Sequence, residues 1–326
     1  MTFLDLFSGI GGFRLGMEMA GHICVGHCEI DQFANKSYIA MHKPKEGEWY
    51  ADDITRIRAE DIPKCDCWCF GFPCQDISVA GKQQGFRGQR SSLFFTVTQL
   101  IRGQKEENKP SYLFIENVKN LLSVNRGRDF ASVLMELDEI GYDAEWAVIN
   151  SADVIPQNRE RVFIIGHLRG RSTGKVFPIG EEDSVATDKG TGLQDSRCVA
   201  AALRVTDYKG THNVILYKQP KLKLMGLIGE KNNQSSRVYD ATGISPALNT
   251  CDVGKIAIPI LTPDSVSKRQ VRKLTPKECF RLQGFPDDYI DRTNDVCSDS
   301  QLYKQAGNSV TVPVIYEIAK RMKTGG

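Results

Sequence analysis

The first twenty residues constrain the fold most. Phe3 to Phe7 is a short apolar run of strand type, broken by Ser8-Gly9-Ile10-Gly11-Gly12 and followed by a helical pattern from Phe13 to about Ala20. Strand, glycine-rich turn and helix form a nucleotide-type cradle, because glycines admit turn dihedrals closed to other residues and let the backbone approach a ligand. The dinucleotide fingerprint G-x-G-x-x-G fails, since Arg14 stands where its third glycine belongs. That weighs against a nicotinamide enzyme and leaves other adenosine cofactors open.

The alternation continues along the chain. Ile23 to Cys28 predicts a second strand ending in Glu29-Ile30-Asp31, and a helix follows from about Gln32 to Met41. An acid at the tip of the second strand of such a sheet is placed to accept hydrogen bonds from ribose hydroxyls, which makes Glu29 the ribose candidate. The third strand position ends at Tyr50-Ala51-Asp52-Asp53-Ile54, where a carboxylate is placed to take the exocyclic amine of an adenine. Loop charge or helix capping is the plain alternative for both acids.

Cys65 to Phe70 reads as a fourth, buried strand, and Gly71-Phe72-Pro73-Cys74-Gln75 follows it. Cys74 then lies beyond a strand's carboxyl end, where open α/β sheets place their ligands. It is a candidate nucleophile; a small buried cysteine in a turn is the other reading. Cys65, Cys67 and Cys69 are expected to share one strand face and therefore not to surround a tetrahedral metal. No metal is expected.

The run Gly81 to Arg90, with Lys82, Arg87 and Arg90, is polar, basic and hinged by glycines, as in a loop that closes over a polyanion. A helix is predicted from about Ser92 to Arg102, and Tyr112 to Ile115 is a further strand ending in Glu116-Asn117-Val118, which puts Glu116 on the same sheet edge as Cys74. Asp129 to Ile140 has apolar residues at helical spacing, with Gly141 placed to cap it. Strands at Ala144 to Asn150 and Arg161 to Leu168 bracket Gln157-Asn158-Arg159-Glu160-Arg161. Two arginines in alternation are suited to gripping a carboxylate or phosphate, or to structural ion pairing.

From about Gly170 to Ser267 periodicity fades and short β-prone pieces such as Asn213 to Tyr217 and Ile256 to Leu261 appear between turns. This predicts an inserted, irregular β domain. Residues 1–167 carry 18 Lys or Arg against 23 Asp or Glu, while residues 168–326 carry 24 against 17, so the later half is the polyanion-facing one. Thr275 and Pro276 open a helix that closes at Gly284, and a last helix is predicted from about Pro313 to Lys323. No apolar run reaches membrane-spanning length, and the start lacks a basic segment ahead of its hydrophobic stretch, so an intracellular protein with reduced thiols is expected despite ten cysteines.

In this order the motifs resemble the C5-cytosine DNA methyltransferases, notably the single-chain enzymes of restriction-modification systems. The resemblance rests on Asp5 to Gly12, Glu29, Asp53, Gly71 to Gln75, Glu116 to Val118, Gln157 to Arg161, Arg272 to Pro286 and Gln305 to Val310. It implies an α/β fold with a Rossmann-like, mainly parallel mixed sheet, a discontinuous catalytic domain over residues 1–168 and 268–326, and a small irregular β-rich target-recognition domain over 169–267. It implies S-adenosylmethionine as cofactor, held by Phe7, Gly9, Gly11, Glu29, Asp53, Ile54, Pro73, Asn308 and Val310. Two positions depart from relatives: Ile30, where several carry tryptophan, and Ala80, where some carry serine.

The chemistry accounts for the residue types. Cytosine C5 is a poor nucleophile, so a thiolate must first add to C6, the role implied for Cys74. Glu116 would meet N3, Arg161 with Arg159 would orient Glu116 and the base, and Asn117 would hold the active-site backbone. The implied partner is double-stranded DNA carrying a specific short site, met by Lys82, Arg87, Arg90, Arg237 and Thr250, with the cytosine flipped from the stack. A monomer without membrane or obligate protein partner, in the cytoplasm of a prokaryote or its phage, is the corresponding expectation. A tRNA cytosine methyltransferase shares most of these motifs, but its relatives typically continue Cys-Phe with Thr, where this chain has Cys279-Phe280-Arg281. A non-catalytic DNA-binding relative is the third possibility, opposed by intact Cys74, Glu116 and both arginines.

Overall fold

The computed structural model describes residues 1–73, 93–178, 273–293 and 295–323, together with the backbone of strands at 224–227, 237–240, 245–246, 255–259 and 269–272. Cys74, Ala80, Lys82, Arg87, Arg90 and Thr250 lie outside the described residues, as does the side chain of Arg237 and the strand expected at Asn213 to Tyr217.

The chain runs β1 (Thr2–Leu6), α1 (Gly12–Met19), β2 (Ile23–Cys28), α2 (Gln32–His42), β3 (Trp49–Ala51), β4 (Cys67–Gly71), α3 (Leu93–Gly103), β5 (Tyr112–Val118), α4 (Arg128–Glu139), β6 (Tyr142–Asn150), β7 (Gln157–Asn158) and β8 (Glu160–Leu168). Seven of these strands form one sheet in the order β3-β2-β1-β4-β5-β8-β6. All neighbours are parallel except β8, which runs antiparallel to both β5 and β6. The sheet is therefore mixed and mainly parallel, as expected.

Both faces of the sheet are covered, which is why its strands read as continuous apolar runs. Leu4, Leu6, Trp68, Phe70, Leu113 and Ile115 pack on one side against Phe94 and Ile101 of α3 and Val133 and Leu137 of α4. Phe3, Cys67, Cys69, Tyr112 and Phe114 face the other side, against Phe13 and Met17 of α1. The strand carrying the cysteines starts at Cys67, and Cys65, ahead of it, packs into the first cluster. The expectation that all three cysteines share a face is thus corrected: only Cys67 and Cys69 do, with sulfurs 3.7 Å apart.

After the insert the chain returns through α5 (Pro276–Arg281), α6 (Asp287–Asp291), α7 (Asp299–Asn308) and α8 (Val312–Ala319). α5 opens with a capping box in which Thr275 and Glu278 satisfy each other's backbone, with Pro276 in the first turn. α8 packs back on α1 so closely that a Cβ at Gly16 would lie 2.6 Å from Ile315 Cβ. Ile315 and Ile318 share one buried cluster with Phe3 of β1, as the sequence implied for the last helix.

A second sheet holds β9 (Leu224–Leu227), β10 (Arg237–Asp240), β12 (Lys255–Pro259) and β13 (Arg269–Lys273) in the order β13-β12-β10-β9. β11 (Ser245–Pro246) instead pairs in parallel with β7. Val176 and Phe177 are buried against the main sheet, and β13 stays paired with β12 to Lys273. No described helix is long and apolar enough to cross a membrane.

Candidate active site

The carboxyl ends of β1, β2, β4 and β5 open onto one cavity of about 510 Å³, closed from the far side by the α7–α8 junction. That is the volume class of a small-molecule site, at the sheet edge where α/β folds bind ligands. Its walls include Phe7, Gly9, Glu29, Asp53, Ile54, Pro73, Asn308 and Val310 together with Glu116, Asn117, Arg159 and Arg161.

The glycine turn forms the floor. β1 ends at Leu6; Phe7 follows with φ 53°, then Gly9 and Gly11 at φ 56° and 79°, so the chain turns through left-handed backbone three times in five residues. At Gly9 a Cβ would meet nothing within 4 Å, leaving room for a ligand against the backbone. Gly11 is not among the residues lining the cavity, and a Cβ there would lie 2.2 Å from His42 Nε2. His42 packs there with its ring nitrogen Nε2 2.9 Å from the Ile10 carbonyl, a support that no sequence pattern marked. Burial pulls the imidazole down to about 3, so Nε2–H is the donor.

Glu29 holds the loop from the front. Its two carboxylate oxygens accept from the backbone N–H groups of Gly9 and Asp31, each at 2.7 Å. Burial raises its pKa, and these hydrogen bonds oppose the rise. Asp31 in turn caps α2 and pairs with Lys304 of α7 at 2.7 Å, so both residues border the cavity beside Ile30, which is 73% exposed. Asp53 lines the cavity while its carboxylate caps the turn at Ile54, accepting from Thr55 N and Oγ1 and pairing with Arg56. Asp53 thus caps this turn and lines the cavity at once, and its hydrogen bonds from Thr55 lower its pKa.

β4 and β5 run in register, Gly71 beside Glu116. Glu116 Oε2 would lie 3.2 Å from a Cβ at Gly71, so the glycine leaves the carboxylate its space. Arg161, entering from antiparallel β8, places Nε 3.0 Å from Glu116 Oε1. Asn117 is buried, and its side-chain N–H donates to the Phe72 carbonyl at 2.7 Å, holding the strand exit that leads to Cys74. The two arginines part company: Arg159 is 3% exposed and donates to the carbonyls of Gly307 and Ser309. Burial and the neighbouring Arg161 charge lower its pKa, and Glu116 opposes that.

This arrangement fits an adenosine cofactor and a nitrogenous base side by side. An open glycine floor and an acidic rim suit the first, and a carboxylate braced by an arginine suits the second. Among the described residues no group of His, Cys, Asp and Glu is arranged to hold a metal.

Comparison with known proteins agrees. The family model for C-5 cytosine-specific DNA methylase matches residues 1–324. Type II methyltransferase M.HhaI from Haemophilus parahaemolyticus is 36% identical over 321 residues, covering 98% of this chain and 93% of that one. Type II methyltransferase M.HpaII from Haemophilus parainfluenzae is 33% identical over 338 residues, 98% and 88% of the two chains. In fold the chain is similar to the S. pombe Dnmt2 methyltransferase, with a TM-score of 0.65 at 20% identity over 98% and 97%. The enzyme is a DNA cytosine-C5 methyltransferase with S-adenosylmethionine as methyl donor. The chain belongs to the C-5 cytosine-specific DNA methylase family.

Proposed function

We propose that the protein acts as a monomer on a specific short site in duplex DNA, flipping one cytosine into the Glu116 end of the cavity and methylating it at C5. The observation that carries this reading is the single cavity joining the glycine floor to the Glu116–Arg161 pair. Lys82, Arg87 and Arg90 belong to a loop that seals the flipped base, and the insert, with Arg237 and Thr250, reads neighbouring bases while its lysines meet phosphates.

Cys74 follows Pro73, which lines the cavity. Its thiolate adds to C6, forming the Sγ–C6 bond, and the displaced electron pair moves into the ring. Glu116 donates to N3 and stabilises the charge that develops there, with Arg161 fixing the carboxyl's orientation. Phe7, Gly9, Glu29, Asp53, Ile54, Pro73, Asn308 and Val310 would hold S-adenosylmethionine, whose sulfonium would supply an electrophilic methyl group for C5. Loss of the C5 proton to a base then lets the thiolate leave and restores the aromatic ring. Asn117 holds the Phe72 carbonyl, two residues before Cys74 in sequence.

Incubation with tritiated S-adenosylmethionine and, in parallel, duplex DNA and tRNA tests the substrate. Label is expected on duplex DNA, in amounts that fall steeply with salt as phosphate contacts are screened. Label on tRNA alone overturns the reading. Bisulfite sequencing of DNA from an expressing host identifies the site.

A further inference from the structure

We propose that Arg159 is a positioning residue for the cofactor, fixing the backbone that displays Asn308 and Val310 and joining it to the strand that carries Arg161. This rests on the reading that S-adenosylmethionine lies against Asn308 and Val310 and the cytosine against Glu116.

The need for such a residue follows from the α7–α8 junction. α7 ends at Asn308, Ser309 is extended at φ −68° and ψ 153°, and α8 starts only at Val312. Carbonyls in the last turn of a helix and in an extended linker lack intrahelical donors, and buried ones must find others. Arg159 supplies them: Nη2 lies 3.1 Å from the Gly307 oxygen and 2.8 Å from the Ser309 oxygen. The two carbonyls flank Asn308, and Val310 follows directly. A cation at a helix C-terminus is also favoured by the helix dipole.

Arg159 is itself anchored. Its backbone N–H donates to Asn150 Oδ1 at 3.0 Å and its carbonyl accepts from Ser151 N at 3.0 Å, both in the turn that joins β6 to β7. A second staple stands beside it, where Ser151 and Thr311 hydroxyls meet at 2.7 Å and Thr311 contacts Gln283, which also donates to the Ala306 carbonyl. The junction is thus held to the β6–β8 hairpin at two points. Arg161, two residues further along, ends on Glu116. One short stretch therefore sets the cofactor wall with one arginine and the base-facing carboxylate with the next.

Both hydrogen bonds leave one nitrogen, Nη2, whose two N–H groups serve one carbonyl each, and the rigid planar guanidinium fixes where that nitrogen sits, whereas a lysine ammonium rides on a flexible stem. The test compares Arg159→Lys and Arg159→Gln with the wild type, using S-adenosylhomocysteine in calorimetric titration, duplex DNA in steady-state kinetics, and thermal unfolding to confirm a folded protein. Arg159→Gln is expected to weaken S-adenosylhomocysteine by about 10-fold or more, the loss expected for buried charge-assisted hydrogen bonds, with Arg159→Lys recovering part of it. KM for the cofactor should rise while KM for DNA stays within about 2-fold.

A folded Arg159→Lys protein with wild-type cofactor affinity overturns the proposal, and so does a loss confined to kcat. Should Arg159→Gln not fold, Arg159→Lys alone decides the matter. Wild-type protein that fails to bind S-adenosylhomocysteine instead overturns the functional reading beneath it.

Discussion

Arg161 Nε and Glu116 Oε1 meet at 3.0 Å across antiparallel strands β8 and β5, and the pair is only 18% and 13% exposed. An arginine in this position keeps the carboxyl pointed at the cavity and stabilises charge that builds on a bound base. Arg161→Ala is expected to lower kcat by about 10²-fold, the range for removing a transition-state electrostatic partner, and Glu116→Gln by at least as much. Cofactor affinity should change little in Arg161→Lys, the opposite of the pattern expected at Arg159. Initial rates with saturating S-adenosylmethionine and a titration of S-adenosylhomocysteine separate the two.

Asn117 tests how the strand exit is held. Its amide nitrogen donates to the Phe72 carbonyl and its oxygen accepts from Val118 N. Asn117→Ala removes both hydrogen bonds, the one to Phe72 buried and the one from Val118 partly buried, at about 1–3 kcal/mol of stability. Asn117→Asp keeps the acceptor for Val118 but sets a carboxylate against the Phe72 oxygen, so its loss should be at least as large. Denaturant unfolding gives the stability, and methyl transfer should fall in both because the Phe72 carbonyl, two residues before Cys74 in sequence, loses its donor.

The two left-handed glycines of the floor give different outcomes. Alanine at Gly9 pays only the left-handed strain of about 1–2 kcal/mol, and its methyl stands in the cavity, so cofactor affinity should drop more than stability. Alanine at Gly11 adds a collision with His42 and Tyr38 to the same strain, for a combined cost of about 3 kcal/mol. Urea unfolding and cofactor titration of the two variants check the contrast.

His42 sets a pH dependence. Its folded pKa of about 3 lies below the ordinary histidine value, so the stability gained by keeping it neutral is complete above about pH 6.5 and is lost as pH falls from there toward 3. The slope for one such proton is about 1.4 kcal/mol per pH unit. Asp5 and Glu29, whose pKa values are raised by burial, pull the other way in acid. The wild type should therefore be compared with His42→Gln, which keeps an N–H for the Ile10 carbonyl: the stability difference between them should shift toward the variant between pH 7 and 5. A difference that does not move with pH contradicts a neutral buried His42.

Most of the catalytic sheet was legible because each strand is a short apolar run ending at a residue with chemistry: Phe7, Glu29, Asp53, Pro73 and Glu116. Burial on both faces makes such runs continuous, and the turns after them are marked by glycine, proline or acid. Less legible were contacts between residues far apart in sequence. His42 beneath Gly11 and Lys304 against Asp31 depend on how α2 and α7 pack, which local periodicity does not encode. The alternation of Arg159 and Arg161 suggested one shared target, yet the strand entrance turns Arg159 to the α7 end while Arg161 meets Glu116. Phe177 and Lys273 show the same limit: the first is buried in the core cluster that holds Phe3, the second pairs with Lys255, and local composition marks neither contact.

Attack by Cys74 is read directly with a duplex in which the target cytosine carries fluorine at C5. The thiolate adds and the methyl group transfers, but no C5 proton is available to leave, so the Sγ–C6 bond persists. With S-adenosylmethionine present, mass spectrometry should find a protein–DNA adduct one methyl heavier, attached at Cys74 and absent in Cys74→Ser. No adduct under conditions where the same protein methylates ordinary duplex DNA, or an adduct at a different residue, contradicts the mechanism.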